Sequence, residues 1–483
     1  MIFKSLISDQ RNFDLVLITA PWTETDIPML APAALKSVVE KAGFTCLAVD
    51  LNAEIRHTVV KPSEHKQELI DFFYNGTLDP VVEDTFFDMY SSIAKQIVDL
   101  NPAYLGISLF SYVSQISTQW ICYFVRKLDP DIKIVVGGAG CLPNFTGPSE
   151  YVNKLFKQKL IDYHIRGDAE LSLVELLKGN TSYTGINDIT WTELTSDDMA
   201  NMPYPDYDNY NLDYYEEHIL SLIGSRGCVR NCTFCDYIAN WPKFQWRTAE
   251  SIFNEMLHQS QKYDVTEFKF QDSLTNGNLK EFKKLTAMLA EYNESATNKI
   301  SWSGYYIFRN STPSLETEWE IIKKSGAKIL VVGIENLNQH IRYAMGKKFD
   351  DQSIEDNLRL AKKHNVKLLL LNIVGYINET EKDIEYIESW IDSHTEYKDT
   401  IILQWGGTLG IFPNTYLDKN KTELGITMIK DHPSYWISTS TNSTHSTRAA
   451  WVKRLQERSK SLGYEVCEGI DIHYILELLM KHE

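Results

Sequence analysis

Short, β-branched apolar runs alternate with amphipathic stretches over the first third of the chain. Runs at 14–20, 45–51, 104–109, 133–138 and 162–167 have the length and composition of buried strands. Between them, 31–42, 86–99, 115–128 and 169–178 repeat their apolar residues at helical spacing. Strand and helix in strict alternation predict a parallel, doubly wound sheet. Residues 55–85 are weakly patterned and fit a helical insertion. From about 180 the pattern lapses, and MPYPDYDNYNLDYY (202–215) reads as a connector because its Pro, Asp, Asn and Tyr follow neither period.

A second alternating series follows, with strands at 218–225, 267–273, 300–307, 328–335, 366–375 and 400–407. Helices centre near 249–260, 278–292, 314–325, 351–364 and 380–394. Six βα units without antiparallel signals predict a partial barrel, whose chemistry would lie at the carboxyl ends of its strands. The remainder is expected to be helical, at 448–462 and 470–481. The fold class is thus α/β: a Rossmann-like domain over 1–195, a linker over 196–215, a partial (β/α)6 TIM-type barrel over 216–420 and a small helical C-terminal region over 421–483.

Composition narrows the function. The 483 residues include 48 Lys+Arg against 65 Asp+Glu, a net charge of −17, which argues against nucleic acid as a partner. The longest apolar run, LLLLNIVG (368–375), is strand-sized and far below the ~18–20 residues that span a bilayer, so no membrane association is expected. The first residues, MIFKSLISDQRNFD, lack the basic and apolar regions of a signal peptide. Seven cysteines in so long a chain are too few for a disulfide scaffold. A cytoplasmic enzyme is the expectation.

Three of those cysteines carry the strongest chemical signal. GSRGCVRNCTFCDY (224–237) places Cys228, Cys232 and Cys235 in a C-x3-C-x2-C loop directly after the first strand of the second series. A zinc site needs a fourth Cys or His, and the next His in sequence is His258. Three thiolates suit an iron–sulfur cluster with one iron left open to a chelating substrate. A zinc knuckle is the competing reading. The other four cysteines, Cys46, Cys122, Cys141 and Cys467, are too scattered for a second cluster.

This motif, with Phe234 just before the third cysteine, resembles the radical S-adenosylmethionine superfamily. There, a 4Fe-4S cluster binds S-adenosylmethionine through its unique iron. The likeness continues along the barrel: Asp272 in FKFQDS, Arg309 in WSGYYIFR, and Glu335 in VVGIENLNQHIRYAMGKK, a segment similar to the family's G-I-E-S stretch. LNIVGYINETEKD and WGGTLGIFPNTYL resemble two further family turns, with Asn378 and Asn414 where Gly is usual. The resemblance implies cluster ligation by Cys228, Cys232 and Cys235. It also implies S-adenosylmethionine contacts among Phe234, Asp272, Arg309, Glu335, Asn372 and Trp405.

The N-terminal series is similar to the cobalamin-binding domain that precedes many such barrels. The matching segments are APW (20–22), PAALKSVVEKAG (32–43), AVDLN (48–52), LGIS (105–108), VVGGAG (135–140) and IRGDAEL (165–171). Ser108, Gly137, Gly138, Gly167 and Glu170 are the implied cobalamin-side residues. Ser108 and the Gly137–Gly138 pair end adjacent strands, where open α/β sheets bind ligands. A flavodoxin-like domain with an emptied site is the alternative. Asp162–Gly167 also spells D-x-H-x-x-G, the motif of cobalt-ligating histidines. It lies too late in the domain for that role, and His164 reads as a strand residue. The first loop, APWTETDIP, offers no His, so bound cobalamin would have a lower face free of protein histidine.

Together these features imply a cobalamin-dependent radical enzyme that methylates an unactivated carbon of a small-molecule substrate through a 5′-deoxyadenosyl radical. The cobalamin would lie between the sheet crevice and the barrel mouth, with Trp436 and Arg448 of the tail closing over the substrate. A reductant such as flavodoxin or ferredoxin would supply electrons. A cyclising, rearranging or hydroxylating radical enzyme is the first alternative, and a non-catalytic cobalamin or iron–sulfur sensor the second.

Overall fold

A computed structural model describes residues 1–467 other than 24–25, 142–150, 189, 311 and 431, with the backbone alone at 239–240. The expected helix at 470–481 lies outside the described residues. The chain divides into two compact units, Met1–Ser221 and Leu222–Glu483.

The first unit is built on β1 (Leu15–Thr19), β2 (Cys46–Val49), β3 (Tyr104–Ser108), β4 (Lys133–Gly137) and β5 (Tyr163–Ile165), in the order β2-β1-β3-β4-β5. Every neighbouring pair is parallel. All five residues of β1 and all four of β2 are buried, as a sheet covered on both faces requires. The helix Glu83–Asp99 shows the matching one-sided pattern, burying Phe86, Met89, Tyr90, Ile93, Ala94 and Ile97. The insertion is helical, as expected, with segments at Leu51–Ile55, Arg56–Val60 and Lys66–Asn75.

This strand order reverses direction between β1 and β3, which opens a crevice at their carboxyl ends. Thr19, Ser108 and Gly137 sit in register across that edge. Gly138 follows with φ +104, and a Cβ there would lie 2.3 Å from the carbonyl oxygen of Leu109. The glycine is therefore demanded by the turn itself.

Residues 196–215, read above as a linker, are fastened to the first unit. Lys36 Nζ donates to Asp206 Oδ1 at 3.0 Å and the Asp206 amide to Ala33 O at 3.0 Å. The hydroxyls of Tyr210 and Tyr215 reach Met29 O at 3.2 Å and Asp50 Oδ2 at 2.8 Å.

The division between the units falls within β6 (Ile219–Leu222). A small antiparallel hairpin follows, β7 (Ser225–Arg226) with β8 (Gln245–Trp246). The main strands are then β9 (Glu267–Phe270), β10 (Ser301–Tyr306), β11 (Ala327–Glu335), β12 (Lys367–Val374) and β13 (Ile401–Thr408). The tail adds the hairpin β14 (Ile426–Met428) with β15 (Trp436–Ser438), and the single strand β16 (Glu465–Cys467). The sheet order is β16-β13-β12-β11-β10-β9-β6, with the intervening helices expected from the pattern.

The tail is therefore not simply helical. β16 extends the sheet by pairing parallel to β13, and a three-residue strand is too short to leave a period-2 signal. Trp436 and Arg448 also differ from expectation. Both are fully buried, with the guanidinium 3.8 Å above the indole ring and donating to the carbonyls of Ser434, Trp436 and Ser443. They pin the tail internally, and neither of these two side chains extends to close over a substrate.

Replacing Gly138 with Ala should destabilise the first unit by about 1–3 kcal/mol, the usual cost of a side chain held in left-handed backbone. Hydrogen exchange of β3 and β4 amides in the full chain reads this directly. Unchanged protection would mean that the turn can relax around a Cβ.

Candidate functional site

The two faces of the barrel sheet can be told apart by what their side chains touch. Trp302 donates through Nε1 to Ser325 Oγ at 3.0 Å, and both it and Tyr306 pack on Phe282, so these alternate residues face the helices. Register carries that face from Tyr306 to Val332, Leu370 and Leu403. The inner face then comprises Tyr305, Val331, Leu369 and Ile402, with Gly333, Leu371, Gln404 and Cys467 in the next row. Ile329, Val331, Leu369, Leu371, Ile402 and Cys467 form one apolar cluster.

By this alternation Trp405 belongs to the helix face, and its Nε1 donates 3.0 Å to Ser459 Oγ of the helix His445–Ser461. That corrects its expected role as an S-adenosylmethionine contact, since the barrel wall stands between the indole and the inner face. Asn372 shares the register with Trp405, and its Nδ2 donates to Leu370 O and Gln404 O. Its Oδ1 is buried without a hydrogen-bond partner.

Glu335, two residues beyond Gly333, keeps that inner face along β11, although the β11–β12 register shifts between the two and Glu335 has φ +65. A Cβ on Gly333 would lie 2.5 Å from Glu335 Oε1 and 3.1 Å from Lys347 Nζ. Both charged groups thus lie over the inner-face position that glycine vacates. They form a 2.9 Å ion pair, each side chain only 11% exposed.

The cysteine loop runs from Gly224 to Asp236 and is tied at both ends. Asp272, 3% exposed just beyond β9, accepts from the Gly224 amide and the Ser225 hydroxyl, each at 2.7 Å. Burial pushes its carboxyl up to about 6, against the pull of those bonds. Asp272 therefore positions the loop. At the other end the Thr233 amide donates to Met345 O at 3.1 Å, and the Leu417 amide to Thr233 O at 3.2 Å. Thr233 Oγ1 lies 2.8 Å from the Tyr376 hydroxyl, which donates to Ala344 O. Phe234 packs against the cluster of Ile341, Met345, Tyr376, Leu409, Leu417 and Trp436.

Cys232 is buried and Cys228 and Cys235 half-buried, all with free thiols. Burial pushes Cys235 up to about 11, opposed by the amides of Tyr237 and Ile238. Burial also raises Cys232, while Lys347 draws it down. Among the described residues no three His, Cys, Asp or Glu groups converge closely enough to hold a single metal ion. The thiols are spread along the loop, which suits ligands that each take a different iron of a cluster. Arg309 lies beyond β10, half-buried, its carbonyl accepting from Asn357 Nδ2 at 2.8 Å.

In the first unit, the hydroxyl of Thr19 is buried at the β1/β3 crevice with no hydrogen-bond partner. A buried orphan hydroxyl is costly unless something satisfies it. Ser108 stands beside it in register. Gly167, with φ +89, closes over the backbone of Thr192, and Glu170 is buried in the first turn of Ala169–Leu177. His164 lies in β5, two strands from the crevice. Burial lowers its imidazole to about 4, helped by Arg166.

A model of the Radical SAM superfamily matches residues 222–391. The chain thus carries a radical S-adenosylmethionine domain over those residues. It is 25% identical over 330 residues to an uncharacterized methyltransferase of Pyrococcus horikoshii, covering 64% of this chain and 67% of that protein. It is 22% identical over 286 residues to an anaerobic magnesium-protoporphyrin IX monomethyl ester cyclase of Synechocystis, covering 55% of this chain and 54% of that one. The chain thus spans between half and two thirds of the length of these relatives. The solved structure of the radical S-adenosylmethionine methyltransferase TsrM from Kitasatospora setae, with cobalamin and a [4Fe-4S] cluster bound, matches with TM-score 0.64. There the identity is 14%, over 97% of this chain and 99% of that one, which is a likeness of fold. No helix among the described residues is long and apolar enough to cross a membrane.

Lys347, Thr233, Tyr376, Gln404 and Thr19 escaped the sequence reading. Lys347, Thr233 and Tyr376 had a local cue, each lying in a segment that resembles the family, whereas Gln404 and Thr19 had none.

Asp272→Ala leaves the Gly224 amide and Ser225 hydroxyl without their acceptor, a loss of about 1–3 kcal/mol. Iron retained after anaerobic reconstitution and desalting should fall, and Asp272→Asn should recover part of it. Retention equal to wild type in the Ala variant would remove Asp272 from loop positioning. For His164, the unfolded chain binds the proton more readily than the folded one between about 4 and the ordinary 6.5. Stability of the first unit should therefore fall as pH drops through that window, and His164→Gln should flatten the dependence in acid-denaturation curves.

Proposed function

We propose that the protein is a cobalamin-dependent radical S-adenosylmethionine methyltransferase acting on a carbon of a small molecule. The observation that carries this reading is the cysteine loop: three half-buried or buried thiols beyond β6, fixed at both ends by the barrel, with no fourth Cys or His in the loop. Such a donor set fits a 4Fe-4S cluster with one iron open. The orphan hydroxyl of Thr19 at a topological switch point, with Ser108 beside it, fits a polar cofactor in the first unit.

When bound, the cluster and cobalamin would supply electron transfer and methyl transfer, chemistry that no side chain provides. The chain's own residues do the rest. Cys228, Cys232 and Cys235 would hold the cluster, while Asp272, Thr233 and Tyr376 set the path of the loop. Ile329, Val331, Leu369 and Ile402 make the inner barrel face apolar, which excludes water from reactive species. Likeness to a methyltransferase of Pyrococcus horikoshii and to the fold of TsrM supports methyl transfer. The likeness to a Synechocystis cyclase favours one second reading, ring formation on the same architecture.

Anaerobically reconstituted protein with S-adenosylmethionine and a strong reductant should release 5′-deoxyadenosine. With substrate and cobalamin it should also release S-adenosylhomocysteine and a product heavier by one methyl-for-hydrogen replacement. Cys232→Ala should abolish both the broad visible absorbance of the cluster and 5′-deoxyadenosine release. Retention of both would sink the cluster assignment. Formation of 5′-deoxyadenosine without S-adenosylhomocysteine would favour the ring-forming reading.

A further inference from the structure

Glu335 entered as an expected S-adenosylmethionine contact, yet its carboxylate is engaged by Lys347 at 2.9 Å. The pair sits where few charges are tolerated, with each side chain only 11% exposed. Three backbone features bring the lysine there. Alternation along β11 puts Glu335 on the inner face with Gly333, and Gly333 leaves room for both groups. Gly346 is pressed against the cysteine loop: a Cβ on it would lie 3.2 Å from Asn231 O and 3.3 Å from Cys232 Cα. The residue after Gly346 is therefore delivered beside the loop's central cysteine. Burial alone would push the Lys347 ammonium down, but Glu335 and the thiols of Cys232 and Cys228 outweigh it and hold it above its ordinary value. Lys347 keeps its charge beside Cys232.

We propose that Lys347, anchored by Glu335, is a positioning residue that sets the reduction potential of the cluster held by Cys228, Cys232 and Cys235. This rests on the cluster reading above. Reduction adds one electron, taken from a low-potential one-electron donor, to a centre already made anionic by three thiolates. The core with its thiolates passes from one net negative charge to two, and no proton or bond changes. A fixed positive charge in a poorly solvated site stabilises the more anionic state, because Coulomb interactions there are weakly screened. Glu335 keeps the ammonium from swinging to water, at the cost of part of its field. A cluster of this charge is hard to reduce, and a lysine that eases reduction would let a modest cellular donor load it.

The test is an EPR-monitored redox titration of the anaerobically reconstituted full chain, with iron per chain measured in parallel. Lys347→Met and Lys347→Gln should retain wild-type iron. Each should shift the reduction equilibrium toward the oxidised cluster by at least about tenfold, or 59 mV for a one-electron couple. Lys347→Arg, which keeps the charge, should stay within about threefold (half that interval on the logarithmic scale) of wild type. Neutral variants titrating with wild type would overturn the proposal. So would an Arg variant that shifts as far as Met, since charge would not be the cause. Loss of iron from both neutral variants with Arg intact would also overturn it, because the lysine would then serve assembly. A wild-type protein that forms no cluster would instead sink the cluster reading itself.

Discussion

A loop that presents three thiols must keep its own side chains unsatisfied while its backbone stays fixed, and everything else in the second unit is arranged around that requirement. Apolar burial cannot supply the fixation, because burial would close the thiols away. Hydrogen bonds from the segments that follow neighbouring strands do it instead. Asp272 holds the start of the loop through Gly224 and Ser225. Met345, Tyr376 and Leu417 hold its far end through Thr233. Phe234 alone goes into an apolar cluster, and that places an aromatic anchor between Cys232 and Cys235.

Tying a loop from several strands works only if those strands end at the same level, which is what a parallel sheet provides. Within it, period-2 alternation decides which side chains reach the inner face. The rule removes Trp405, whose indole serves the packing of the last helix. It keeps Glu335, two residues beyond Gly333, and Gly333 supplies the space that the carboxylate and Lys347 occupy.

Legibility followed the range of the interactions. Strands and helices of both units could be read because each carries its own period over many residues. The cysteine motif could be read because its ligands lie within one short loop. The paired tyrosines of 207–215 gave no period and suggested a free linker, yet Tyr210 and Tyr215 spend their hydroxyls on Met29 and Asp50, far away in sequence. The strand Glu465–Cys467 was missed because its three residues gain their conformation from the edge of β13. Of the two Asn residues standing where glycine is usual, Asn414 adopts a left-handed conformation with φ +66 and Asn378 does not.

The sequence by itself determined the two α/β series, the order of their elements and the three cysteines, since these depend on local periodicity and local spacing. That Gly138 must be glycine was decided by the tertiary structure, through the carbonyl of Leu109. Tertiary structure alone decided which residues share a face, which carboxylate positions a loop and which is paired. Those outcomes depend on register and on contacts between distant segments, which no pattern along the chain records. The pairing of Glu335 with Lys347 beside Cys232 is the clearest case, because eleven residues of intervening chain separate partners that the fold places 2.9 Å apart.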